Sequence, residues 1–378
     1  MKLLSFQPFS LKSNSGGGRI LRRLYQGHET QIVSLGISTM LTKRVRKSHT
    51  VNTKSAGSPE FLVPAYPLSK PWQRWYARDL TNWLREKALR PVTIRNIQRV
   101  AASLNYDVVH TIDHFSFSAA LCDGKIRKDK PLWVSFHDHF STTKSSFEST
   151  KKLWQTADRR LCISNEIGLE YQKLFGNKDF EIITDGVKPE EISEPKLESS
   201  DPVVIYFAGM LHMDYFPLFQ VLADALDILT KQGYALNLVL RGAHKMNFLE
   251  NRSFPVEYRP VIIDDRVLKE ELDLASILYL PMYFTVPEFY LYSLSTKMVG
   301  YLAAPGSILY HGPSDSAACV LLEKHKSAVS CNSLNAEDMV EAIKKMLLSY
   351  SEVSKNAKVL AKSQFSLETI KNRFWQNH

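Results

Sequence analysis

Residues 292–310 read Tyr-Ser-Leu-Ser-Thr-Lys-Met-Val-Gly-Tyr-Leu-Ala-Ala-Pro-Gly-Ser-Ile-Leu-Tyr. The apolar residues recur at helical spacing, which predicts an amphipathic helix over residues 295–304. Ser293 or Ser295 would cap its start, and the Pro-Gly pair would end it. A short buried strand over residues 307–310 would follow. This helix-to-strand step is typical of an α/β fold.

The start of this helix carries Ser295, Thr296 and Lys297. Free amide groups, the helix dipole and the lysine would all favour an anion at this position. The alternative is a capped surface helix with a solvated lysine. The segments on either side of it bear on the choice between the two.

Helical and strand patterns alternate along the whole chain. In the first half we predict strands at 2–7, 31–36, 60–66, 107–111, 131–137, 159–163 and 181–184, and helices at 19–26, 71–87, 91–104, 144–155 and 164–175. In the second half we predict strands at 203–208, 235–240, 256–259, 276–280, 307–310 and 327–330, and helices at 215–231, 267–273, 295–304, 315–324, 335–348, 351–363 and 366–376.

Residues 187–201 are polar, contain prolines and show no periodicity, so they are predicted to link two domains. The first domain would comprise residues 1–186 and the second residues 202–360. The last segment, 361–378, would be a helix that packs back on the first domain. Two α/β sheets joined by one linker predict two domains facing a central cleft.

Composition narrows the functional classes. The 378 residues carry a formal net charge of +9, which could serve nucleic acid, an anionic membrane surface or a phosphorylated substrate. No nucleic-acid motif accompanies the charge, so nucleic acid ranks last. The four cysteines lack paired or metal-like spacing, which favours a reduced, cytoplasmic protein. Three tryptophans and several arginines in the 71–87 helix indicate a core stripe with a solvated face, or a surface for lipid headgroups.

Two groups of residues follow predicted strands, where open α/β sheets bind ligands. Gly16, Gly17 and Gly18 form a glycine-rich turn after the first strand, and its amides could approach a ligand. Arg19 follows and is either a surface arginine or a phosphate contact. His137 ends a later strand, where an imidazole could hydrogen-bond a bound ligand; a satisfied strand-end histidine is the alternative.

In this order and spacing the segments resemble GT-B glycosyltransferases of the large retaining family four, over nearly the whole chain. The resemblance rests on Gly16-Gly17-Gly18 with Gly27-His28-Glu29, Tyr106-Asp-Val-Val-His110, Ser135-Phe-His137-Asp138, Ala157-Asp158 with Ile163-Ser164, Thr184-Asp-Gly186-Val187, Phe207-Ala-Gly209, and Ser295-Thr-Lys297 with Gly300-Tyr301-Leu-Ala. It implies two Rossmann-like domains. The donor, a nucleotide-diphosphate sugar, would lie against the second, and the acceptor against the first.

The same resemblance implies roles for individual residues. His137 would face the donor sugar and its phosphate, and Asp138 would orient His137 or bind acceptor hydroxyls. The amides of Gly16, Gly17 and Gly18 would approach the sugar or the diphosphate. Gly209, Ser295, Thr296 and Lys297 would lie at the diphosphate. Family members hold the diphosphate with basic side chains and helix starts, so no metal is expected. Retention would follow from front-face attack, with the departing phosphate helping to take the acceptor's proton.

The chain departs from the family pattern at three places. The two glutamates that family members carry eight residues apart would fall at Tyr292 and Gly300, and Gly300 removes the usual ribose anchor beside Tyr301. The usual Gly-x-Arg reads Gly-Met-Leu at 209–211, and the lysine that family members carry a few residues later is absent. Arg241, Lys245 and Lys297 are candidate replacements for the missing cations. Glu288 could replace a missing carboxylate, or be a solvated loop residue.

The resulting prediction is a cytoplasmic, metal-independent glycosyltransferase. It would move a sugar from a nucleotide-diphosphate sugar to a hydroxyl of a glycan or lipid-linked acceptor. Peripheral contact with the inner membrane face is an option that the basic charge leaves open. The alternative is a catalytically degenerate GT-B scaffold that binds a glycan or a protein partner; an epimerase or phosphorylase ranks third.

Overall fold

The computed structural model describes most of the chain in two compact units, Met1–Ile183 and Thr184–His378. The described residues are 1–7, 9, 11, 16–38, 60–64, 90–209, 211, 213–262 and 264–376. The predicted linker and the C-terminal segment both fall in the second unit. That the C-terminal segment packs on the first unit stays a prediction.

The first unit is built on a seven-stranded sheet in which every pairing is parallel. Its order is β3-β2-β1-β4-β5-β6-β7. The strands are β1 (Leu3–Gln7), β2 (Ile32–Ser38), β3 (Glu60–Pro64), β4 (Val108–Ile112), β5 (Leu132–Phe136), β6 (Arg159–Cys162) and β7 (Glu181–Ile182). The helices are α1 (Gly16–Tyr25), α2 (Arg90–Ser103), α3 (Gly124–Arg127), α4 (Phe147–Thr156) and α5 (Asn165–Phe175).

The second unit has a six-stranded parallel sheet in the order β10-β9-β8-β11-β12-β13. Its strands are β8 (Val203–Ala208), β9 (Leu236–Arg241), β10 (Val256–Arg259), β11 (Ile277–Pro281), β12 (Ser307–His311) and β13 (Ala328–Cys331). Its helices are α6 (Phe216–Lys231), α7 (Asp265–Leu274), α8 (Pro287–Tyr290), α9 (Thr296–Ala303), α10 (Ala317–Lys324), α11 (Ala336–Leu348), α12 (Tyr350–Gln364) and α13 (Leu367–Trp375).

The helix of the opening stretch, α9, is held by its buried face and at its C-terminal end. Met298 and Leu302 are buried in a core shared with β8, β11 and α12. At the C-terminal end Lys358 of α12 donates hydrogen bonds to the carbonyl oxygens of Leu302 and Ala304. The last carbonyls of a helix lack hydrogen-bond donors within the helix, and the buried amino group of Lys358 serves as their donor.

One helix begins earlier than predicted. The sequence placed the start of α1 at Arg19 and assigned Gly16–Gly18 to a turn, but the helix starts at Gly16, so the glycines form its first turn. Glycine costs about 1 kcal/mol in a helix relative to alanine. Burial of Ile20, Leu21 and Leu24 offsets that cost.

The predicted helix at 71–87 lies outside the described residues. In the part of the chain that is described, no helix is both long and apolar enough to cross a membrane.

Candidate functional site

The start of α9 forms as predicted, with Ser295 as the N-cap. Its Oγ accepts a hydrogen bond from the amide of Lys297 at 3.2 Å. Thr296 is the first helical residue. Because the cap uses one amide, the remaining first-turn amides and the helix dipole still favour an anion here.

Lys297 points its ammonium group into the second unit beside the end of β8. Its Nζ lies 3.8 Å from the centre of the Phe207 ring, a cation–π contact. Part of the residue is exposed, but burial around the ammonium lowers the pKa of Lys297 to about 7. No acidic side chain pairs with it among the described residues. The structure therefore holds a desolvated cation that lacks a counter-anion in the described chain.

Gly209 makes room for this lysine. A Cβ atom at Gly209 would lie 3.0 Å from Lys297 Nζ, and the backbone has φ +148°, a conformation that favours glycine. The Gly209 amide also donates to the carbonyl oxygen of Arg241 at 2.9 Å. Two residues that the sequence placed at the diphosphate are thus in direct proximity, and a side chain at 209 would displace the ammonium.

Gly300 and Tyr301, one turn further along α9, differ in their surroundings. A Cβ atom added to Gly300 would meet no atom of the described residues within 4 Å. Tyr301 is buried, and its hydroxyl accepts a hydrogen bond from the Ala208 amide at 3.0 Å. Tyr301 therefore holds α9 against the end of β8, while position 300 opens onto free space.

Arg241 has the predicted position at the end of β9, but its guanidinium is already engaged. Nε and Nη2 donate to the carboxylate of Glu271 on α7, and Nη1 donates to the Pro260 carbonyl. Tyr206 also donates to Glu271, at 2.6 Å, and Arg259 lies 3.1 Å from it. Burial opposes ionisation of Glu271, yet the hydrogen bonds from Arg241 and Tyr206 hold its pKa below the usual value.

This ion pair counts against Arg241 as a free diphosphate cation, because freeing the guanidinium would leave Glu271 buried without its main partner. A diphosphate contact from Arg241 stays a prediction. Lys245 and Glu288 are exposed, in the loop after β9 and on the four-residue helix α8. Leu211, in the place of the arginine of the family's Gly-x-Arg, is buried. Met210, between Gly209 and Leu211, lies outside the described residues.

In the first unit His137 follows β5 directly and is buried. Its Nε2 atom has no hydrogen-bond partner among the residues that the structure describes. Burial lowers the pKa of His137 to about 4, and nearby His114 contributes to the lowering. The imidazole is therefore neutral at neutral pH and can hydrogen-bond a ligand without contributing charge.

Gly17 lies beside His137. A Cβ atom at Gly17 would be 3.4 Å from His137 Nδ1 and 3.1 Å from the Phe9 ring. The structure thus brings together the first turn of α1 and the strand-end histidine, two features that the sequence predicted separately. Asp138 and Arg19 are half-buried nearby in the chain. His139 accompanies them without a predicted role and contacts Ser141 Oγ at 2.8 Å through Nδ1.

A buried polar row lies beneath α1 and was not predicted from the sequence. The Tyr25 hydroxyl contacts Ser5 Oγ at 2.7 Å and His110 Nδ1 at 2.6 Å. His110 Nε2 continues to Ser135 Oγ at 2.7 Å, two residues before His137. A polar residue in each of several predicted buried strands was the available signal, because central parallel strands are usually apolar.

The described residues contain no group of three or more His, Cys, Asp or Glu side chains arranged to hold a metal ion. Metal independence stays a prediction.

The sequence model of the family described as Glycosyltransferase Family 4 matches residues 21–191 of this chain. The chain resembles GT-B glycosyltransferases. Its fold is the GT-B fold of two Rossmann-like units, shared with solved structures over the full length. No curated protein sequence is significantly similar to the chain.

Three of those solved structures show the extent of the likeness. Sucrose-phosphate synthase from Thermosynechococcus elongatus is 13% identical, with all of this chain and 98% of that one covered and a TM-score of 0.72. Anabaena HepE in complex with UDP and glucose is 13% identical, with 100% and 99% covered and a TM-score of 0.68. A UDP-forming trehalose-phosphate synthase from Burkholderia xenovorans is 12% identical, with 100% and 98% covered and a TM-score of 0.69.

Proposed function

We propose that the protein is a glycosyltransferase that moves a sugar from a nucleotide-diphosphate sugar to a hydroxyl of a glycan or lipid-linked acceptor. The observation that carries the proposal is the ammonium of Lys297, desolvated over Phe207 without an anionic partner in the described chain. A diphosphate at the start of α9 would supply the missing negative charge. Gly209 leaves the space that this contact needs.

The reaction breaks the bond between the sugar's anomeric carbon and the diphosphate oxygen and forms a bond from that carbon to the acceptor oxygen. The acceptor's proton would pass to the departing diphosphate, and attack from the same face would retain the configuration. Lys297 would stabilise the charge that develops on the leaving group. No metal is invoked, because one lysine and the helix start can balance part of the charge.

In the first unit, neutral His137 would hydrogen-bond a hydroxyl of the transferred sugar through Nε2. Its lowered pKa supports a hydrogen-bonding role and not a cationic one. The amides of Gly17 and Gly18 in the first turn of α1 would approach the same sugar. Asp138 would bind acceptor hydroxyls or orient His137.

We propose uridine as the first base to test. HepE has been crystallised with UDP and with UDP-glucose, and the trehalose-phosphate synthase is described as UDP-forming. The support is one of fold alone, since the identities are 10–14% among the structures compared.

Release of free nucleoside diphosphate tests the activity. The purified protein would be incubated, with EDTA, with UDP-, GDP-, ADP- and TDP-sugars, with and without a mixture of glycan and lipid-linked acceptors. We expect one base to be released, faster with acceptor present, and the release to be lost in Lys297→Met. Release that does not depend on acceptor would identify a hydrolase. No release from any donor by the folded protein would contradict the proposal.

Two observations favour the alternative of a non-catalytic scaffold. Arg241 is committed to Glu271, and position 300 lacks the carboxylate that holds the ribose in family members. A scaffold would bind glycan or protein without releasing nucleotide. The test would add an extract of the source cells that contains the natural acceptors. Nucleotide binding without release of nucleoside diphosphate in that mixture would favour the scaffold.

The cellular setting is also a proposal. A cytoplasmic location is supported by the four cysteines, which are all buried and unpaired by disulfides. Peripheral contact with an anionic membrane face is supported by the net charge of +9.

A further inference from the structure

Two loops at the carboxyl ends of β4 and β5 are joined to each other in the first unit. The Phe115 amide donates to the Thr143 carbonyl at 3.1 Å, and the Ser116 amide to Ser145 Oγ at 3.1 Å. The Ser146 amide returns a hydrogen bond to Ser116 Oγ at 2.6 Å. The two strands are neighbours in the sheet, so both loops lie at the edge that carries His137.

A buried carboxylate fixes this pair of loops from below. Asp113 accepts hydrogen bonds from Ser145 Oγ at 2.7 Å and from Thr150 Oγ1 at 2.6 Å. Burial raises the pKa of Asp113 to about 6, and the hydroxyl donors act against that rise. The loop after β4 is therefore held in one arrangement by contacts to the loop after β5 and to α4.

The backbone of the first loop is strained. Phe115 and Ser116 have φ of 55° and 58°, in the left-handed region that side chains other than glycine rarely adopt. Elsewhere in the described chain such residues follow a helical turn, where this conformation is common: Lys128, Asp129, Lys144, Asn251 and Lys326. Phe115 and Ser116 instead follow a strand, and strained residues of this kind cluster at binding sites.

This backbone presents an aromatic ring and a cation to solvent. Phe115 is 41% exposed and packs edge-on against His114, with ring centres 4.3 Å apart. Lys144 is exposed, and its Nζ lies 5.9 Å from the centre of the Phe115 ring. No acidic side chain pairs with Lys144 among the described residues. Burial lowers the pKa of His114 to about 4, and the positive charge of Lys144 contributes to the lowering. His114 therefore adds no charge at neutral pH.

We infer that Phe115 and Lys144 form the acceptor subsite and select a sugar that bears an anionic group. The apolar face of a sugar ring can stack on an exposed aromatic ring, and the lysine supplies a charge-assisted contact for a phosphate or a carboxylate. His114 and His137, both neutral, leave hydrogen bonding to hydroxyls as their contribution. The inference rests on the proposed function, since it names the acceptor class of that reaction.

The test uses Lys144→Gly in the full chain, matched with Lys326→Gly. Both changes remove an exposed lysine from a left-handed position, so both relieve strain and lower the net charge by one. Lys326 lies between α10 and β13, at the end of β13 opposite to the end at which a binding residue would be expected. Neither variant should lose stability, because glycine is favoured at this φ.

Affinity would be measured in the presence of saturating UDP for neutral hexoses, their 6-phosphates and the uronic acids of the same configuration, in the gluco, galacto and manno series. We expect at least one anionic sugar to bind more tightly than its neutral counterpart. Lys144→Gly should weaken the binding of that anionic sugar by about tenfold, because one charge-assisted contact is lost. The affinity for the neutral sugar should not change. Lys326→Gly should change neither. The 6-phosphate and uronate arms identify which anion is recognised.

Phe115→Gly provides the second variant, because it removes the ring and relieves the strain together. Phe115→Gly should weaken the binding of neutral and anionic sugars by the same factor. Equal affinity for neutral and anionic sugars, absence of binding by all of them, or an anion preference that survives Lys144→Gly would overturn the inference. UDP binding separates the two levels: unchanged UDP affinity in Lys144→Gly is expected, and a wild-type protein that does not bind UDP or another nucleotide contradicts the proposed function itself.

Discussion

The proposed donor site depends on Lys297, whose desolvated amino group has no acidic partner among the described residues. It lies over Phe207, next to a glycine whose backbone no other residue favours, at the capped start of α9. Desolvation without a partner is unfavourable for a charged group. A bound diphosphate would reverse that, so binding and protonation of Lys297 should be coupled.

That coupling predicts a pH dependence. The pKa of Lys297 is about 7 in the free protein, so the lysine loses its proton as pH rises through 7. A diphosphate favours the charged form, so binding takes up a proton and affinity falls above neutral pH, by up to about tenfold per pH unit. Calorimetry in buffers of different ionisation enthalpy measures the uptake. Lys297→Arg keeps the charge at all these pH values and also controls for titration of the nucleotide; a slope that persists in it would contradict the account.

A second residue-scale prediction concerns Gly300. The free space at this position can receive a side chain, and the family resemblance implies a ribose-binding glutamate there. Gly300→Glu should tighten UDP binding by about tenfold through charge-assisted hydrogen bonds to the ribose. Inorganic pyrophosphate, which has no ribose, should bind no more tightly than to wild type. Equal gains for both ligands, or none for UDP, would show that the ribose does not lie at α9.

At the scale of elements, buried polar groups hold the site-bearing helices in place. Lys358 of α12 closes the C-terminal end of α9, and Tyr25 ties α1 to the strands below it. Networks of this kind are costly when one member is removed, because the remaining partners stay buried and unpaired. They therefore fix helix positions more tightly than apolar packing alone.

The prediction for α1 is that Tyr25→Phe lowers the free energy of unfolding by about 1–3 kcal/mol, since Ser5 and His110 each lose a partner. Urea unfolding would measure it. Tyr234→Phe is the control, because the Tyr234 hydroxyl has no hydrogen bond in the described chain. A loss no larger than that of the control would show that the row does not secure α1.

The prediction for α9 uses Lys358, whose pKa burial lowers to about 7, below the value of 10.5 for an exposed lysine. Between those values the unfolded chain binds the extra proton, so this lysine makes stability rise with pH, by up to about 1.4 kcal/mol per unit. Lys358→Met should flatten the rise above pH 7 and lower stability at neutral pH through the unpaired carbonyls of α9. Unfolding free energies measured from pH 7 to 9 decide it; an unchanged slope would mean that the lysine titrates normally.

At the scale of the whole molecule, the sequence was sufficient for the order of elements and the GT-B fold. Helix boundaries such as Ala336–Leu348 and strands such as Val203–Ala208 follow from periodicity and caps, which are local. Pairing between distant residues is not local. The partner of Arg241 is Glu271 on a helix thirty positions away, and only tertiary packing brings them together. The same holds for Tyr25 with His110, and for Phe207 beneath Lys297.

The central claim is that the second unit binds a nucleoside diphosphate through Lys297. Calorimetric titration of UDP, GDP, ADP and TDP into the wild-type protein, Lys297→Met and the exposed-lysine control Lys355→Met, with EDTA throughout, tests it most directly. The account predicts clear binding of one nucleotide by the wild type and by Lys355→Met, and at least about tenfold weaker binding by Lys297→Met. Equal affinity in all three proteins, or no binding by a folded wild type, would contradict it.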